Sequence, residues 1–192
     1  MTAKLLYVAN MSVDGFLEDA QGKFDFGRPD EEVHQFINDL IRPAGTYLYG
    51  RRMYETMRVW EAEYGGESDP PVARDFASVW RPANKIVYST SLVEVSTQRT
   101  RLERSFDAQG VRQLKAQAER DLTIGGPGIA VHAFRAGLVD EVHLFLWPSI
   151  VGGGKPALPR DIRLKLKLIE ERRFERSNVV YLRYDAGSPE RR

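Results

Sequence analysis

The chain contains no cysteine, which excludes disulfides, thiolate nucleophiles and cysteine-ligated metals. Histidine is scarce. His34, His132 and His143 are the three present, none spaced from another as ligands on one helix would be, and they read as structural or surface residues rather than as a zinc site. No serine stands in a nucleophile elbow, so a Ser-His-Asp hydrolase is disfavoured. No run approaches the roughly 20 apolar residues that span a bilayer. The start, Met1-Thr2-Ala3-Lys4, lacks the apolar core and cleavage site of a secretory leader, so the expectation is a cytoplasmic protein without membrane association. An excess of one charge is missing too. With 28 basic and 27 acidic residues, net charge +1, the basic surplus of a nucleic-acid binder is absent. The chain has no Gly-Lys-Ser/Thr phosphate loop. It matches only two glycines of the dinucleotide fingerprint, Gly126 and Gly128, with Val131 in the third place, so a plain Rossmann domain is not expected.

What is present is an ordinary globular composition: 192 residues, 42% hydrophobic and 29% charged. That length suits one domain with a full core, here residues 1–186, with 187–192 expected to be a disordered tail. Short apolar runs at 5–9, 46–49, 85–88, 100–103, 122–125 and 141–147 read as strands. Helical spacing appears at 30–41, 51–57, 72–80, 109–120 and after 127. Two further runs, 164–171 and 179–184, read as a terminal antiparallel pair. Strands alternating with helices define an α/β sheet covered on both faces, and the final hairpin makes it mixed.

The most informative stretch is Leu122-Thr123-Ile124-Gly125-Gly126-Pro127-Gly128-Ile129. A strand runs into glycines and then a helix, which presents backbone N–H groups and a helix N-terminus to an anion. The same logic recurs at Tyr49-Gly50-Arg51-Arg52-Met53, where two basic residues in a first turn oppose the helix dipole unless an anion compensates them. A third strand ends in Ser89-Thr90-Ser91, whose hydroxyls serve either a phosphate or a turn. Ligands of open α/β sheets sit at the carboxyl ends of strands, so the three elements together point to a nucleotide. Proton donors are sought among Asp14, Asp19, Asp30, Glu31 and Glu32; for the last three, favourable placement at a helix N-terminus is the competing explanation. Phe24, Phe26, Tyr54 and Trp60 are candidates for a flat, apolar substrate.

Six stretches in this order carry a resemblance: Met11-Ser12-Val13-Asp14-Gly15-Phe16-Leu17, Gly50-Arg51-Arg52-Met53-Tyr54-Glu55-Thr56, Ile86-Val87-Tyr88-Ser89-Thr90, Ile124-Gly125-Gly126-Pro127-Gly128, Gly137-Leu138-Val139-Asp140-Glu141-Val142, and Pro148 through Pro156 with its Gly152-Gly153-Gly154 triplet. The chain resembles the dihydrofolate reductase-like superfamily, in the branch of the riboflavin-biosynthesis reductase domain and its stand-alone relatives. The resemblance implies a three-layer α/β fold around a mixed, mainly parallel sheet of about eight strands. It implies NADPH as cofactor, a small and heterocyclic substrate, and a homodimer. In it Arg51 meets the 2′-phosphate, with Gly50, Arg52 and Met53 beside it, and Ser89 and Thr90 lie near the same phosphate. Ile124, Gly125, Gly126, Pro127, Gly128 and Ile129 form the pyrophosphate cradle, and Val8, Ala9 and Leu17 lie by the nicotinamide. Glu32, four residues before Phe36, matches the carboxylate of dihydrofolate reductases, with Asp14 second. The departures at Met53 and after Gly50 argue against folate and against the phosphorylated aminopyrimidine as substrate. A nucleotide-binding protein without turnover is the competing reading; a flavin enzyme, yellow when purified, is a third.

Overall fold

The computed structural model describes residues 2–187; the tail expected from 187 onward lies, from 188, outside the described residues. Eight strands form one sheet. They are β1 (Leu5–Ser12), β3 (Ala44–Gly50), β4 (Asn84–Tyr88), β5 (Thr100–Glu103), β6 (Asp121–Gly125), β7 (Glu141–Trp147), β9 (Lys167–Arg173) and β10 (Val180–Asp185), in the order β5-β4-β3-β6-β1-β7-β10-β9. The first six run parallel, and β10 returns antiparallel between β7 and β9. Two short strands, β2 (Phe16–Glu18) and β8 (Lys155–Pro156), pair separately above the carboxyl end of β1.

The period-2 alternation of each strand divides the core. Leu5, Tyr7, Leu48, Leu122, Ile124 and Val142 face α4 (Ala108–Gln117) and α5 (Pro127–Arg135). Tyr47, Tyr49, Val87, Phe145 and Trp147 face the opposite layer of α1 (Glu31–Ile41) and α3 (Pro71–Trp80). Helix α1 begins where Asp30 accepts the N–H of Val33 at 2.9 Å, a cap that stabilises by about 1 kcal/mol. Helix α4 is shorter than its sequence pattern. Asp107 caps it, and it stops at Gln117 because Ala118 turns extended, leaving Arg120 to donate to the carbonyls of Arg42 and Pro43. Between β1 and α1 the chain forms β2 and a short 3₁₀ turn at Asp25–Gly27. No helix of the described residues is long and apolar enough to cross a membrane.

Candidate active site

A cavity of about 940 Å³ opens at the carboxyl end of the parallel strands. Val8, Ala9 and Asn10 of β1 and Thr123, Ile124 and Gly125 of β6 form its sheet wall, with Tyr47 and Tyr49 of β3 beneath. Leu17 and the segment from Gly22 to Pro29 make one rim. Helix α1 contributes His34, Ile37 and Ile41, and α2 (Arg51–Met57) contributes Met53, Thr56 and Met57. Trp60, Tyr64 and Phe76 close the far side. Trp60 packs on Phe76 with ring centroids 4.5 Å apart and on Tyr64 at 4.4 Å, so the wall there is a rigid aromatic surface able to lie against a flat ring.

The strand-end elements meet beside this cavity. Gly126, at φ +94°, turns β6 into α5, whose N-terminus has no side-chain cap, so the N–H groups of Gly128 and Ile129 are free of intrahelical partners. Gly125 packs against Met53 and Tyr49 so closely that a Cβ there would stand 3.2 Å from both side chains. Gly50 precedes α2 and lies against Ile129, which sets the two helix starts side by side. Arg51 donates to Glu55 at 2.7 Å and to Ser91 at 3.0 Å, bringing it to the end of β4. Arg52, about 100° round the helix, diverges and pairs with Glu18 of β2 at 2.8 Å. Lys155 Nζ lies 4.0 Å from where a Cβ on Gly128 would stand; sequence reasoning gave it no role.

Other expected site residues stand elsewhere. Glu32 does not line the cavity: its carboxylate pairs with Arg172 of β9 at 2.9 Å. Its spacing to Phe36 places it on that residue's face, and Phe36 packs on Phe145, Phe174 and Tyr181 rather than at the cavity. Asp14 is tied to the glycine strap. Hydrogen bonding to Ser12 and to the N–H groups of Gly152 and Val151 keeps its carboxyl below the usual range. Tyr54 is buried on the far side of α2, where its hydroxyl accepts the N–H groups of Ser96 at 2.8 Å and Thr97 at 3.2 Å. Ser89 is buried and its hydroxyl accepts from Ser91 and Leu92 within its own turn, while Thr90 beside it is exposed. Phe24, Phe26 and Trp60 do line the cavity.

The sequence offers His34 as a structural or surface residue, and the structure places it on the cavity wall. The signal was in the sequence, since His34, Ile37 and Ile41 share one face of α1 at spacings of three and four. Burial lowers its pKa from 6.5 against the attraction of Asp75. His143, by contrast, is sealed in the sheet between Tyr181 and Glu141.

This is the α/β architecture of a dihydrofolate reductase-like protein. A putative riboflavin biosynthesis protein from Shewanella sp. PV-4 superposes with a TM-score of 0.72 at 18% identity, over 96% of this chain and 99% of that one. Dihydrofolate reductase from Enterococcus faecalis superposes with a TM-score of 0.61 at 12% identity, over 96% and 98%. The Bacillus subtilis (strain 168) protein YyaP is 28% identical over 177 residues, 91% of this chain and 90% of its own length. Residues 3–180 match the model of the RibD C-terminal domain, and the chain belongs to that family.

Proposed function

We propose that the chain is an NADPH-dependent reductase of a small, heterocyclic substrate. Gly125 carries this reading: one residue both ends the cavity's sheet wall and begins the turn into the uncapped start of α5. The residues present fit the cofactor. The N–H groups of Gly128 and Ile129 would hold its pyrophosphate, where a helix N-terminus favours an anion. Arg51, exposed and hydrogen-bonded to Ser91, would hold the 2′-phosphate. Val8, Ala9 and Leu17 would flank the nicotinamide, and Met53 would pack beside Gly125. When bound, NADPH supplies the hydride, and the chain supplies orientation and electrostatics. Trp60, Phe24 and Phe26 would stack on the substrate and exclude water from it. A diaminohydroxyphosphoribosylaminopyrimidine deaminase/5-amino-6-(5-phosphoribosylamino)uracil reductase from Thermotoga maritima shares the fold, with a TM-score of 0.65 at 12% identity over 97% of this chain and 57% of that one. A homodimer in the cytoplasm is the accompanying expectation.

Titration of the protein with NADPH and with NADH, followed by quenching of tryptophan emission, tests the cofactor. Arg51→Ala should weaken NADPH about tenfold or more, the scale of a lost charge-assisted hydrogen bond, and leave NADH within about twofold. Equal losses for both would show that Arg51 does not read the 2′-phosphate, and failure to bind either would remove the reductase reading.

A further inference from the structure

Hydride delivery to a C=N or C=O bond leaves an electron pair on the heteroatom, and that pair needs a proton. The carboxylates expected to provide one are engaged away from the cavity, Glu32 with Arg172 and Asp14 with the backbone of Gly152. Asp25 lines the cavity but is exposed on the 3₁₀ turn of its rim. The phenols of Tyr47 and Tyr49 hold their protons tightly because both are buried.

His34 remains. Its backbone is fixed in the first turns of α1, donating to the Asp30 carbonyl at 2.9 Å, so the side chain projects from a capped, rigid element. Trp60 meets the imidazole edge-on, with centroids 5.9 Å apart, and Phe76 lies at 5.6 Å. These two rings fix its plane without using its nitrogens. Among the described residues no group hydrogen-bonds the ring, and the ring borders the cavity. An oriented, half-buried imidazole with both nitrogens unspent is placed to act on a ligand.

We infer that His34 is the proton donor of the reductive step and contacts the substrate heteroatom. This rests on the reductase reading above. The substrate carbon accepts a hydride from the dihydronicotinamide, which ends oxidised. The π pair of the C=N bond moves to nitrogen, and the imidazolium of His34 gives that nitrogen its proton. The result is a CH–NH single bond and a neutral imidazole, which solvent reprotonates through the open rim. The charges around the ring set its titration. Asp75 of α3 attracts the proton, although its carboxylate is already shared by Arg42 and Asn38. Lys23, Asp25 and Arg28 share the cavity from the rim, Tyr47 and Tyr49 from β3, and Tyr64 from the far wall. Burial outweighs Asp75, so the donor form is favoured by acid and turnover rises as pH falls below 6.5.

The test uses the full chain, NADPH and two probes. One is 7,8-dihydropterin, whose C=N reduction needs a proton on nitrogen; the other is N-methyl-3,4-dihydroisoquinolinium, a quaternary iminium that hydride alone converts to a neutral amine. In His34→Gln, NADPH affinity should stay within about twofold, while dihydropterin reduction falls about 100-fold, the ordinary scale for a lost general acid, and at least tenfold further than reduction of the quaternary iminium. The acid-side rise in kcat/KM for dihydropterin should vanish in the variant. Independently of turnover, the His34 ring resonance, identified among three histidines by its loss in the variant, should shift when dihydropterin binds. Wild-type rates in His34→Gln, an unchanged pH profile or an unmoved resonance would each overturn the assignment. A protein that binds NADPH and reduces the iminium but not dihydropterin would overturn it and leave the reductase reading intact. A protein that does not bind NADPH would sink the reading itself. His34→Asn, with NADPH affinity as the check on folding, separates a lost donor from a damaged helix.

Discussion

Tyr54 and Trp60 are six residues apart and both aromatic, yet they face opposite ways. Trp60 lines the cavity, whereas Tyr54 is sealed against the segment 92–97, its hydroxyl taking the N–H groups of Ser96 and Thr97. Residue type cannot separate these outcomes; only the direction of each side chain from α2 and the turn after it can. Tyr54→Phe should therefore lower unfolding free energy by about 1–3 kcal/mol, the cost of leaving buried N–H groups unpaired, with NADPH affinity unchanged. Urea titration and fluorescence titration measure the two; a selective loss of ligand affinity at unaltered stability would restore Tyr54 to the binding surface. The same limit governed the carboxylates. The four-residue step from Glu32 to Phe36 is a true helical relation, but which face of α1 turns to the cavity is set by Phe145, Phe174 and Tyr181, residues more than 100 positions away.

Elements were more legible than side-chain directions, for a physical reason. Strand β7 is apolar apart from Glu141 and His143 because helices cover both faces of a parallel sheet, so its limits, Glu141–Trp147, are legible directly. The turns at Gly50 and Gly125 were legible because a strand that must stop at a helix start uses glycine. The pairing of β2 with β8 was not, since two- and three-residue strands carry no periodicity. It depends instead on the strap at Gly152, Gly153 and Gly154, all at positive φ. A Cβ on Gly154, at φ +134°, would stand 2.0 Å from the carbonyl oxygen of Glu18. That contact is with backbone and cannot be relieved by a rotamer. Gly154→Ala should cost several kcal/mol, about 3 or more, and should release β2, the partner of Arg52, with loss of amide protection at Phe16–Glu18. Hydrogen exchange reads this directly; retained protection there would mean that the strap does not hold β2. Asp14→Asn, which weakens the grip on Gly152, should give a smaller effect in the same segment.

At the scale of the whole molecule, the antiparallel return of β10 onto β7 seals a charged network inside the sheet. Arg183 donates to Glu141 at 2.9 and 3.0 Å, His143 lies between Glu141 and Tyr181, and Lys4 closes the group. Burial alone would raise the Glu141 carboxyl, but Arg183 and Lys4 outweigh it and hold the pKa at about 2, against 4.5 when free. Burial lowers His143 to about 4, against 6.5, in spite of Glu141. Both folded values lie below the unfolded ones, so the unfolded chain binds more protons on acidification and stability falls. The His143 contribution is fully present above 6.5 and is lost progressively down to about 4; that of Glu141 is present above 4.5 and lost down to about 2. The first window is worth on the order of 2–3 kcal/mol. His34, also lowered, adds in the same direction. Urea unfolding at pH 7.5, 5.5 and 4.5 should show this decline in the wild type. It should shrink markedly in His143→Gln and only slightly in His34→Gln, because His143 is buried in the sheet and His34 borders an open cavity. The carboxyls of Asp14, Asp69, Asp75 and Asp161, lowered from 3.8, contribute only below that range. An equal decline in wild type and His143→Gln would mean that the imidazole gains a proton in place and that the network between β7 and β10 opens to water before the sheet unfolds.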